Sequence, residues 1–65
     1  MDFTATDHGS IWLLTPTSQA GQSWAEEHLP ADAATLGSSI AIEPRYVLPI
    51  LDGIEEDGLE VRVRP

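Results

Sequence analysis

The chain contains neither cysteine nor lysine. Without cysteine there is no disulfide, no thiolate nucleophile and no cysteine-ligated zinc to hold 65 residues together. That composition fits a reducing compartment. The missing lysine belongs to a wider shortage of positive charge: three arginines, Arg45, Arg62 and Arg64, face eleven carboxylates, for a formal charge of −8. Up to Pro44 the only other basic side chains are His8 and His28. A field of this sign repels nucleic acid and anionic membrane and attracts basic protein surfaces. The expected partner is therefore a basic protein surface, with no direct binding of nucleic acid or membrane. Long apolar runs are missing too. Ile11–Leu14 and Tyr46–Leu51, the latter broken by Pro49, are far too short to span a bilayer. Met1-Asp2-Phe3 opens with no basic segment and no apolar stretch of signal-peptide length, so a cytoplasmic protein is expected.

Sixty-five residues make one domain, residues 1–65, with a marginal core and little room for a deep substrate pocket. Phe3 to Thr6 alternates apolar and polar side chains, as a half-buried strand does. Asp7-His8-Gly9-Ser10 supplies turn chemistry. Ile11 to Thr15 is apolar on both faces, which predicts a central strand. Pro16 stops it, and Thr17 or Ser18 caps a helix running to about Leu29, with Ala20, Trp24, Ala25 and His28-Leu29 on its apolar stripe. Pro30 falls just past its end. Ala31 to Gly37 reads as a loop or one helical turn, and Ser39 to Glu43 as a third strand. Pro44 suits the start of a second helix, whose Val47, Ile50, Leu51 and Ile54 share one face. Pro49 predicts a kink or a restart there, and Gly58 ends the helix. Leu59 to Arg64 alternates as a last strand. The expectation is an α+β, two-layer domain: a mainly antiparallel sheet of three to four strands in ββαβαβ order, with one or two helices on one face.

Five acids fall within nine residues: Asp52, Glu55, Glu56, Asp57 and Glu60. On a helix, Asp52 neighbours Glu55 and Glu56, and like charges so placed destabilise by roughly 0.2–0.5 kcal/mol per pair. Glu55 to Asp57 also occupy the last turn, where the macrodipole disfavours each anion by roughly 0.3–1 kcal/mol. Local rules broken together on a small domain point to a surface kept for binding. Helical neighbours are spaced much like phosphates along a nucleic-acid strand, and Glu26, Glu27 and Asp32 could extend the row from the first helix. Such a row can occupy a cleft built for DNA, because Lys and Arg clefts select mainly by charge. The competing reading is of solvated charges that keep a small protein soluble.

Catalysis finds no comparable support. His8 and His28 each stand beside an acid in sequence, but adjacent helix residues do not face each other, and no HExxH spacing exists. They read as a turn histidine and a partly buried helix histidine. The glycines form no phosphate-cradling motif, and the acidic stretch lacks the ligand spacing of an EF-hand. No enzyme activity, metal or cofactor is expected. Trp24 belongs to the core. Trp12 reads as core too, with one alternative: if Ile11 and Leu13 face the helices, Trp12 and Leu14 lie on the bare face of the sheet, as a contact surface for a partner or a second copy. An interaction module, an antitoxin or accessory protein binding there, is the alternative function.

Asp7-His8-Gly9-Ser10-Ile11, Leu13-Leu14-Thr15-Pro16, Trp24, His28-Leu29-Pro30, Glu43-Pro44-Arg45-Tyr46 and Asp57-Gly58-Leu59-Glu60-Val61, taken as a set, resemble short acidic proteins carried by proteobacteria, their phages and mobile elements. The chain is similar in size and charge to anti-CRISPR proteins acting on type I systems, type I-C among them. That resemblance implies a stoichiometric inhibitor, monomeric or homodimeric. It would bind a Cas subunit of the interference complex and block a basic DNA-binding surface by charge mimicry. Asp52, Glu55, Glu56, Asp57 and Glu60 are the candidate contact residues, with Glu26, Glu27 and Asp32 in support.

Overall fold

The computed structural model describes residues 1–29 and 32–64. Its elements follow in the order β1 (Phe3–Asp7), β2 (Trp12–Pro16), α1 (Gln19–His28), β3 (Thr35–Leu36), β4 (Ser39–Ile42), α2 (Pro44–Glu56) and β5 (Val61–Arg64). The strands form one sheet in the order β3-β4-β2-β1-β5. Pairing is antiparallel except where β5 lies parallel to β1. The α+β class and the helical layer on one face are as the sequence predicts, and β2 is the middle strand.

Two details differ from expectation. The sheet has five strands rather than three or four, and it is mixed. The additional strand, β3, lies in the stretch expected to be loop or helical turn. It pairs with β4 through a two-residue Gly37-Ser38 turn, with Gly37 at φ +63°. Glycine first in a two-residue turn is the pattern of a type II′ hairpin, a signal the composition of the stretch obscured. Pro30 and the first residue of that expected loop, Ala31, lie outside the described residues.

Strand register settles which side chains face the helices. Phe3 pairs with Pro16, Ala5 with Leu14, and Asp7 with Trp12, while Trp12 and Leu14 pair with Ile42 and Ile40. Opposed residues share a face, so Trp12 and Leu14 point to the helical side and Leu13 to the bare side. Leu14 is buried, and Trp12 packs against the core formed by Phe3, Ala5, Leu14, Trp24, Ala25, Ile42, Val47 and Ile54. Trp12 therefore packs with the core as expected, and the alternative of an exposed Trp12-Leu14 patch is overturned. The reason is cooperative: Phe3, Ala5, Ile40 and Ile42 fix the inner face of the neighbouring strands, and β2 must match both.

Both helices are closed by local chemistry. Ser18 caps α1, its Oγ accepting from Gly21 N–H at 3.0 Å. Gly21 is required there, since a Cβ would collide with the Asp2 carbonyl oxygen and sit 3.4 Å from the Phe3 ring. At the end of α2, Gly58 takes φ +80°, its N–H donates to Glu55 O, and Leu59 N–H donates to Ile54 O. That bond pair is a Schellman closure, and it turns the chain directly into β5. Pro49 stands inside α2, which runs unbroken from Pro44 to Glu56 rather than restarting. The proline ring is exposed, and one missing N–H early in a helix packed through Val47 and Ile54 is tolerated.

Candidate functional site

The carboxylates are distributed unevenly between the two layers. Glu26, Glu27, Glu43, Asp52, Glu55, Glu56 and Asp57, seven of the eleven, lie in helices or at their caps. The side chains that register directs to the bare face of the sheet are Thr4, Thr6, Leu13, Thr15, Leu36, Ser39, Ala41, Arg62 and Arg64, with no acid among them. Thr15 and Ser39 hydrogen-bond across that face at 2.7 Å. The acidic surface is therefore the helical one.

Within α2, Val47 and Ile54 are buried, and Asp52, Glu55 and Glu56 are exposed on the opposite side, in line with Arg45 and Leu48. Asp52, Glu55 and Glu56 form no ion pair among the described residues. Arg45 is held instead by Glu43, its NH2 group 3.0 Å from Glu43 Oε2, and its guanidinium lies 5.3 Å from the centre of the Tyr46 ring. The last turn of α2 thus carries uncompensated negative charge against its dipole.

Asp57 has a different occupation. Trp24 Nε1–H donates to Asp57 Oδ2 at 2.6 Å, and His28 Nε2 lies 3.6 Å from the same oxygen. The His28 ring stacks on Trp24 with centroids 4.3 Å apart, and its Nδ1–H donates to Trp24 O at 2.9 Å. A Cβ on Gly53 would lie 3.3 Å from the Trp24 ring, so the indole packs closely on α2 at Gly53. Asp57 therefore fastens α1 to α2 as the acceptor for a core tryptophan. Sequence alone placed it with the free acids because nothing local signals a partner 33 residues away.

The eight candidate acids do not make one continuous row. Glu27 and Asp57 come together on the rim of a shallow depression with Ser23, Trp24 and His28. Glu26 turns the other way, lining a separate depression with Thr35 and Ser38. Asp32 is exposed in the turn before β3. Glu60 precedes β5, its Oε1 3.8 Å from the N-terminal ammonium and its N–H donating to Asp2 Oδ2. The free patch that remains is Asp52, Glu55 and Glu56, with Glu27 across the helical layer. His8 is exposed in the β1–β2 turn, its N–H bonded to Ile11 O.

The chain matches no family model, no curated protein and no solved structure. Among the described residues, no three His, Asp or Glu side chains are grouped to hold a metal ion, and no helix is long and apolar enough to cross a membrane.

Proposed function

We propose that the protein is a non-enzymatic binding protein that sets its acidic helical layer against a basic surface on which a partner protein otherwise holds nucleic acid. The observation that carries the reading is the outer face of α2. There Asp52, Glu55 and Glu56 stand exposed with no ion pair among the described residues, Glu55 and Glu56 at the helix end where negative charge is least favourable. Carboxylates so placed lower stability in the free protein and gain most from a cationic partner. The bare sheet face, free of acids, gives the layer a direction.

The resemblance to short phage-borne proteins supplies the particular partner: a Cas subunit of a type I interference complex, type I-C being the specific case. The protein would act there in the cytoplasm of the host cell as an anti-CRISPR, replacing DNA phosphates with carboxylates. The test is competition between the protein and target DNA for the purified complex at low and at high salt. Displacement of DNA that weakens steeply with salt is expected, because the contact is charge on charge. Glu55→Lys/Glu56→Lys, checked for a native melting curve, should abolish it. Undiminished inhibition by that folded variant would sink the charge-mimic reading.

A further inference from the structure

We infer that the free edge of β5 is a docking strand for an extended acidic segment of a partner protein, one that alternates carboxylates on one face with apolar side chains on the other. β5 ends the sheet, so its outward N–H and C=O groups lack a ladder partner among the described residues. The opposite edge, β3, is two residues long, too short to template pairing. β5 has four residues, Val61–Arg64, and carries two of the chain's three arginines. Arg62 and Arg64 are exposed on the bare face, and neither forms an ion pair among the described residues, whereas Arg45 is paired with Glu43. In a chain of −8 charge, these two cations stand two residues apart on a sheet edge, with Glu60 on the same face two residues before Arg62. On the other face Val63, opposite Ala5, is 53% exposed, beyond the cover of the helices.

Arginine on an edge strand also guards against self-pairing. In a two-fold antiparallel junction that keeps both helical layers on one side, Arg62 would meet Arg64 of a second copy when the axis passes Val63; when it passes Arg62, Arg64 meets Glu60 but the two Arg62 side chains oppose each other, and like charges directly opposed are unfavourable. That guard is selective rather than general. Both registers of a copy oppose arginine to arginine, whereas a strand bearing Asp or Glu at the same two positions meets each arginine with an acid. The same strand would also cover Val63, which the helices leave exposed. An apolar side chain between two acids answers all three features together: main-chain pairing, two cross-strand ion pairs and cover for Val63.

The probe is an eight-residue peptide of alternating Glu and Val, with a Lys–Val peptide of the same length as control, titrated at low ionic strength into isotope-labelled protein and followed by amide chemical shifts. The Glu–Val peptide should saturate shifts at residues 61–64, while the Lys–Val peptide leaves them in place. Arg62→Glu/Arg64→Glu should weaken the first by about tenfold and transfer β5 shifts to the second. Should that variant lose the native spectrum, Arg62→Gln/Arg64→Gln, which keeps length and polarity, should weaken the Glu–Val peptide without creating the reversed preference. Absence of β5 shifts with millimolar Glu–Val peptide, or equal affinity in either arginine variant, overturns the inference. Because Glu55→Lys/Glu56→Lys leaves the edge intact, it should bind the Glu–Val peptide at least as well, which separates this site from the acidic helical layer.

Discussion

Asp2 accepts from Ser18 Oγ–H at 2.6 Å through Oδ1 and from Glu60 N–H at 2.9 Å through Oδ2. Its own carbonyl accepts from Thr17 N–H at 2.8 Å. One residue thereby joins the start of β1, the cap of α1 and the entry to β5. The Ser18 hydroxyl, helped by the Glu60 N–H, holds the Asp2 carboxyl below its ordinary pKa. The sign follows from linkage: when the folded pKa is the lower one, the unfolded chain takes up the proton first as pH falls. The contribution of Asp2 is thus complete above the ordinary carboxylate range and disappears as pH falls through the folded value. Asp2→Asn should melt below the wild type at neutral pH, and the gap should close as the solution is taken down towards about pH 2. Melting temperatures recorded in parallel across that range check it; a gap independent of pH would show that the charge of Asp2 contributes nothing.

At the scale of elements, α2 was legible at both ends, and of the two readings of its middle, a kink or a restart, the restart is overturned. Pro44 and Gly58 mark its limits because each acts through its own backbone dihedrals. Pro49 suggested a restart because its cost is local, whereas the packing that overrides it is supplied by Val47 and Ile54 against the sheet. Parity of β2 was undecidable from its own residues, since Ile11 to Leu14 is apolar on both sides and only the neighbouring strands fix the inward set. The acids of α2 lead to a measurable consequence. Glu55 and Glu56 sit on the negative end of the helix with no cation to offset them, and lysine there would be favoured by the dipole. Glu55→Lys/Glu56→Lys should therefore raise thermal stability, by up to about 1 kcal/mol for each site, while removing the proposed binding. A variant that is both less stable and inactive would instead make these glutamates structural.

The whole molecule separates its charges by layer, and that separation was only partly readable in advance. The clustering of Asp52, Glu55 and Glu56 follows from helical spacing, which a sequence displays. The tethering of Asp57 to Trp24, the turning away of Glu26, and the placement of Arg62 and Arg64 on the free edge of β5 depend on pairings between distant segments. β5 beside β1 joins residues nearly the full chain apart, and only the folded register reveals it. One property of the assembled charge can be tested without any partner. Eleven carboxylates on so small a body repel one another in the folded state more than in an expanded chain, so screening should favour folding. Opposed to this, salt weakens the ion pairs, but those of the N-terminal ammonium with Glu60 and of Arg45 with Glu43 are exposed and contribute little. The repulsion should win, and the melting temperature should climb as NaCl rises from about 0.01 to 0.5 M, most of it by about 0.15 M, where the screening length is near 8 Å. Glu55→Lys/Glu56→Lys adds two charges at each site, taking −8 to −4, and should climb less. A melting temperature that falls with salt would mean that attraction between the layers, not repulsion among the acids, governs the electrostatics of the fold.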